Sequence, residues 1–287
     1  MSRARRADLI YVADDFTRTV YVFTYPRGQW LQELTGFSQP AGECTDAAGD
    51  VFVTDDRYSN QSSVVVEYRH GGKDPIATLT TPSTPYGCSV DPITGNLAVV
   101  EYNDVAIYRA ARGTPKVFTD SDTTRMYYCV YDAAGNLYVS GGGPSSGRQP
   151  IFAVMHRGVR SFTNFSVDAT FRYPRVPIVW DGRYLAVGDY ESWDGSYPVY
   201  QVKLSSGKGR VVSKTVLDTK GVQTLPAPPM WIQAGKIILT GKHGPYCCAV
   251  GVVGLWNYPI GGHRTRRLVM PHYAILPYGI AVSLAKR

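Results

Sequence analysis

The chain has 287 residues, 44% hydrophobic and 18% charged, a balance that supports a large buried core and argues against disorder. Its net charge of +7 sits partly near the ends, on Arg3, Arg5, Arg6, Arg264, Arg266, Arg267, Lys286 and Arg287, and no nucleic-acid motif accompanies it, so a nucleic-acid partner is not expected. No apolar run is long enough to span a membrane as a helix, and the start, MSRARRAD, lacks the apolar centre of a secretion signal.

The elements repeat. A first group reads as strands at 8–15, 20–25 and 30–35. Five similar units follow, each anchored on a turn glycine: Gly49, Gly95, Gly135, Gly182 and Gly235, at spacings of 46, 40, 47 and 53 residues. Before each glycine lies a first strand (41–46, 85–91, 127–132, 176–181, 228–233). After it comes a second strand, such as DVFVTD or NLYVSG. Glycine followed by Asn, Asp or another polar residue between apolar runs is hairpin chemistry, because such turns need positive φ. Third strands are expected at 64–68, 105–108, 151–155, 199–204 and 252–258. Fourth strands are expected at 76–80, 116–120, 161–165, 214–218 and 266–270. The last apolar stretch, PYGIAVSLA (277–285), supplies the first strand that the opening group lacks.

Four short strands per unit at this period predict an all-β fold: a six-bladed β-propeller with four-stranded antiparallel blades. The N- and C-terminal strands share one blade and close the ring. Residues 1–287 form a single domain under this reading, and the protein is expected to be a monomer.

The pattern P-x-G, apolar, Asp, Gly-Asn, apolar, Val-x-Asp is clearest in PYGCSVDPITGNLAVVE and AGECTDAAGDVFVTD. It resembles NHL repeats and the wider superfamily of six-bladed propellers that includes gluconolactonases and strictosidine-synthase-like proteins. The wording TGFSQPAGEC and GGKDPIATL is also similar to a group of uncharacterised, often exported bacterial propeller proteins. That likeness implies a secreted or periplasmic protein whose leader is not part of this sequence. The superfamily hosts both enzymes and binding domains, so the resemblance speaks to fold more than to chemistry.

Propeller geometry places the starts of first strands and the loops after second strands on one face. That face would carry residues 14–19, 55–63, 101–104, 141–149, 189–197 and 241–251. It is acidic (Asp14, Asp15, Glu43, Asp55, Asp56, Glu101, Asp189, Glu191) and aromatic (Tyr86, Tyr102, Tyr127, Tyr128, Tyr190, Trp193, Tyr197, Tyr246, Tyr278). The candidate ligand-binding residues are Glu43, Glu101, Tyr102, Asp189, Trp193 and Tyr246. The ligand expected is a small molecule, glycan or peptide. The acids that end second strands also have a structural use, as acceptors for the backbone of a neighbouring loop.

Glu43 holds the position occupied by Cys88, Cys129, Ile178 and Ile280 in other units, and a carboxylate there is costly to bury unpaired. The gluconolactonase resemblance implies a divalent metal, Ca²⁺, held by Glu43 with Asn103 and Asp189. The activity would then be that of a Ca²⁺-dependent lactonase or ester hydrolase, although the family's full ligand set is not recognisable. A water-bridged channel residue is the other reading of Glu43. Cys88 and Cys129 lie at one level on adjacent first strands, and three readings stay open: two buried hydrophobes, a disulfide, or a metal pair. Cys247 and Cys248 allow a vicinal disulfide. HExxH is absent and GGGPSSG (141–147) reads as a flexible loop, so no complete catalytic set can be assembled.

Overall fold

A computed structural model describes residues 3–57, 62–143, 149–189, 195–205, 207–222, 228–244, 249–271, 274 and 276–286. In chain order the strands are β1 (Leu9–Asp14), β2 (Thr19–Thr24), β3 (Trp30–Leu34), β4 (Pro40–Thr45), β5 (Val51–Asp55), β6 (Val64–Tyr68), β7 (Pro75–Thr80) and β8 (Pro85–Val90). Next come β9 (Leu97–Glu101), β10 (Asp104–Tyr108), β11 (Lys116–Thr119), β12 (Arg125–Tyr131), β13 (Leu137–Gly142), β14 (Ile151–Met155), β15 (Thr163–Val167) and β16 (Ile178–Trp180). The last are β17 (Leu185–Gly188), β18 (Ser196–Ser205), β19 (Lys208–Asp218), β20 (Met230–Gln233), β21 (Lys236–His243), β22 (Val250–Asn257), β23 (Arg266–Val269) and β24 (Ala281–Ser283). Helix is confined to two short 3₁₀ turns, Arg3–Arg6 and Arg109–Ala111, among the described residues, and none is long and apolar enough to cross a membrane.

These strands form an all-β, propeller-like arrangement of four four-stranded sheets and one eight-stranded sheet. Three sheets follow chain order: β4 to β7, β8 to β11, and β20 to β23. A fourth runs β24-β1-β2-β3, with Leu9 opposite Ser283 and Tyr11 opposite Ala281. The eight-stranded sheet departs from separate units. There β15 and β19 touch in parallel through Ser166–Lys208 and Val167–Gly209, joining two four-stranded meanders at their outer edges. The long β18–β19 hairpin makes this join possible, because β19 begins at Lys208, earlier than the expected fourth strand at 214.

The turns explain the repeated text. Asp46 Oδ1 accepts the N–H groups of Ala48 and Asp50, each at 2.8 Å, and Asp132 Oδ1 does the same for Ala134 and Asn136. Gly49 and Gly135 then take φ of 83° and 79°, a region that L side chains rarely adopt. The core lies between successive sheets. Leu9, Val20 and Val22 pack on Val51, Val53 and Val64, and Phe52 and Val65 pack on Leu97 and Ala106. Inner strands are therefore buried on both faces, while outer strands such as β7 keep most of their side chains in water.

Candidate functional site

The first strands β4, β8, β12, β16, β20 and β24 surround a cavity of about 690 Å³. Gln39 and Thr84 line one end, and Asp132 and Gln233 the other, so the cavity follows the length of these strands. A volume of this size is typical of small-molecule sites.

Its wall has two characters. One residue before Glu43, Cys88 and Ile280 stand Gly42, Gly87 and Gly279. A Cβ on Gly42 would collide with the Tyr86 carbonyl, one on Gly279 with the Ala41 carbonyl, and one on Gly87 would lie 3.0 Å from the Tyr127 oxygen. The P-x-G glycine thus exists because adjacent first strands approach backbone to backbone. The same place is taken by Tyr128 in β12 and by Pro177 before β16. There the wall is built from side chains: Tyr127, Tyr128, Arg175, Trp180 and Trp231.

Glu43 lies on the glycine side. It is 6% exposed, its Oε2 accepts the Ala13 N–H at 3.3 Å, and its Oε1 has no partner within the protein. Burial raises its pKa well above the ordinary carboxylate value, while the Ala13 N–H acts in the opposite direction.

The acids ending second strands do a different job. Asp55 accepts the N–H groups of Ser38 and Gln39, both at 2.8 Å, and pairs with Arg57 Nε at 3.1 Å. Asp14 accepts Thr17 N–H at 2.8 Å and Leu276 N–H at 2.7 Å. Asp189 is held by Arg172 N–H at 3.3 Å. Each latches the segment leading into a first strand. Glu101 holds the same repeat position with one more methylene. Its buried carboxyl lies against that of Asp104. Burial first, then the neighbouring Asp104 carboxyl, push its pKa up to about 9.

Of the expected ligand-binding residues that the structure describes, only Glu43 lines the cavity. Glu101 and Asp189 are buried outside the cavity lining, and Tyr102 is exposed, with Arg125 4.6 Å from its ring centre and donating to its hydroxyl at 2.8 Å. Trp193 and Tyr246 lie outside the described residues, as do Tyr190, Glu191, Cys247, Cys248 and His272.

The residues present do not fit a resident Ca²⁺. Asn103 and Asp189 are absent from the cavity that holds Glu43, and no cluster of three acid, His or Cys side chains suited to a metal occurs among the described residues. Of the readings left open for Cys88 and Cys129, the buried hydrophobe holds for Cys129 alone. Cys44 and Cys88 form a disulfide, with Cα atoms 5.6 Å apart, and Cys129 is free and buried. Equivalent positions point the same way around the ring: Glu43 reaches Ala13, Cys88 reaches Phe52 and Cys129 reaches Ala98, each in the preceding sheet. Cys88 and Cys129 therefore cannot face one another. Cys44, one residue further along β4, points forward to meet Cys88.

The residue that sequence reasoning missed is Arg175. Its guanidinium lies 5.0 Å from the Tyr127 ring centre and hydrogen-bonds Tyr128. Tyr86 stacks edge-on against Tyr127 at 6.1 Å, and Tyr278 completes the aromatic girdle. Asp15 and Asp56 line the same mouth. The Asp15 carboxyl is held above the usual range by burial and by Asp14. A signal was available: Arg175 stands three residues before Ile178, where Pro40 and Pro85 stand before Glu43 and Cys88.

No family model matches the chain, and no curated protein matches it. Solved structures do. A chain of a nidogen/laminin complex is similar at a TM-score of 0.67 and 13% identity, covering 98% of this chain and 100% of that one. A protein of unknown function from Bacteroides caccae gives 0.63 and 12%, covering 96% and 99%. Hydrazine synthase from Kuenenia stuttgartiensis gives 0.57 and 17%, covering 85% and 69%. At these identities the likeness establishes the β-propeller fold alone.

Proposed function

We propose that this chain is a six-bladed, ligand-binding β-propeller of the NHL and gluconolactonase-like superfamily, monomeric and extracytoplasmic. The eight-stranded sheet counts as two blades joined at their rims, and the β24–β1 pairing closes the ring. The Cys44–Cys88 disulfide supports an oxidising compartment, since such bonds persist outside the cytosol.

One observation carries the binding reading. Asp15 Oδ1, Glu43 Oε1, Arg175 Nε, Trp180 Nε1 and Trp231 Nε1 are buried without a hydrogen-bond partner in the protein, and all five residues line one cavity. Buried polar groups are ordinarily satisfied, and leaving one unmade costs about 1–3 kcal/mol. Five gathered around an aromatic-walled space suit a site completed by a small molecule, a glycan end or a peptide. Glu43, Arg175 and the two tryptophans would contact it, with Tyr102 at the rim. A Ca²⁺-dependent lactonase is the weaker reading, for want of a ligand set.

The test is a thermal-shift and tryptophan-fluorescence screen of sugars, short peptides, lactones and small metabolite-like acids. A ligand should raise the melting temperature and perturb Trp180 and Trp231 emission together, because both indoles line the cavity. A screen in which no compound moves either signal overturns the binding reading. Turnover of a lactone that requires added Ca²⁺ would replace it with the hydrolase.

A further inference from the structure

We infer, building on that binding reading, that the channel mouth takes an anion: a ligand bearing a carboxylate or phosphate that seats on Arg175, with its apolar or aromatic body against the tyrosine girdle.

The argument begins with the charge. Arg175 projects into the cavity, yet no carboxylate lies within ion-pair distance of it among the described residues. Its neighbours are phenols: the Tyr127 face, the Tyr128 hydroxyl and Tyr278. Its Nε is buried without a partner. A cation moved out of water needs a compensating charge, and aromatic faces supply only part of it. The planar guanidinium fork is also the geometry that receives two oxygens of a carboxylate or phosphate at once.

The second point is rigidity. The Val176 carbonyl accepts Ser140 Oγ at 2.7 Å, and the Pro177 carbonyl accepts Gly188 N–H at 3.0 Å. Pro174 and Pro177 flank the residue pair. The backbone bearing Arg175 is thus fixed from two sides, and a preorganised donor loses little entropy on binding.

The third point is the other wall. Asp15 and Asp56 line the same mouth and are not paired with Arg175. A second negative charge at that end would be repelled, so the ligand's far end is neutral or cationic. An aromatic monoanion meets all three conditions.

The experiment uses the full chain and three probes of one shape: benzoate, phenyl phosphate and neutral benzamide. Binding is read by quenching of Trp180 and Trp231 and by thermal melts, at low and high salt. The wild-type protein should bind at least one anion tenfold or more tightly than benzamide, with the preference shrinking as salt rises. Which anion wins separates a carboxylate from a phosphate ligand. Arg175→Met should abolish the preference, and Arg175→Lys should keep part of it, retaining charge without the two-donor edge. Equal binding of benzamide and both anions by the wild type, or anion binding unchanged in Arg175→Met, overturns this inference and leaves the binding reading intact. So does capture of only neutral compounds in the wider screen. Should Arg175→Met fail to fold, the wild-type comparison of anion with amide decides alone. If nothing in the screen binds either, both readings fall.

Discussion

The two sides of the channel wall spend the same repeat position in opposite ways. On β24, β4 and β8 the position before the slot residue is Gly279, Gly42 or Gly87, and backbones meet directly. On β12 it is Tyr128, and before β16 it is Pro177, so phenol, guanidinium and indole side chains fill the gap. The glycine side also carries the disulfide and the buried Glu43. One side holds the ring together, and the other presents chemistry. A repeat fold can diverge in function without disturbing closure, provided the two tasks fall on different units.

Four perturbations break or sharpen that division. The largest effect should come from Cys44→Ala/Cys88→Ala. The bond spans a separation of 44 residues, and its loss should lower stability by about 4 kcal/mol in urea melts on chain-entropy grounds, with the fold retained. Benzoate affinity should stay within twofold, since the aromatic side is untouched. Gly42→Ala comes next. The new methyl meets a backbone carbonyl that cannot swing aside, which should cost about 1–3 kcal/mol in the same assay. An alanine there that leaves stability unchanged would mean that the glycine side is not close-packed.

The third perturbation is pH. Glu43 and Glu101 have pKa values raised above 4.5 in the folded chain, so the folded state keeps protons that the unfolded chain releases. Their contribution is therefore greatest at low pH and is lost as pH climbs from 4.5, up to about 9 for Glu101. The slope is at most about 1.4 kcal/mol per pH unit for each retained proton. Glu43→Gln should remove its share while leaving that of Glu101, and the double Gln variant should lose stability less steeply than the wild type in melts from pH 5 to 9. An unchanged slope in the double variant would contradict the raised pKa values of the two carboxyls. The smallest effect belongs to Tyr128→Phe, which removes one hydroxyl bonded to Arg175. It should cost about 1 kcal/mol or less, yet shift benzoate affinity, separating chemistry from support on the other side of the ring.

Much of this architecture was legible in the text of the chain. The Asp-x-x-Gly units announced turns because the aspartate caps them locally, and Glu43 stood out in a slot of thiols and aliphatics. Local rules failed where contacts cross between units. Matching Cys88 with Cys129 treated equal position as proximity, whereas equal position means equal direction, and only Cys44, one step out of phase, can reach Cys88. The second-strand acids Asp14, Asp55 and Asp189 do accept backbone N–H groups, as their repeat position suggested, but the donors Leu276, Ser38 and Arg172 lie far along the chain. Arg175 was hidden for the converse reason. Its significance lies in tyrosines nearly fifty residues earlier and about a hundred later, which only ring closure brings beside it.

The β15–β19 contact has a consequence for how the molecule meets its own copies. The last strand of a blade ordinarily leaves a row of N–H and C=O groups facing outward, a template on which another chain can add a strand. Here two such rows engage each other at Ser166–Lys208 and Val167–Gly209. That sector of the rim is partly self-capped against strand addition. Among the described residues, the corresponding rims at β3, β7, β11 and β23 have no strand partner on their outer side. Strand-exchange association or fibrillar growth, should the protein undergo either, is directed to those four rims.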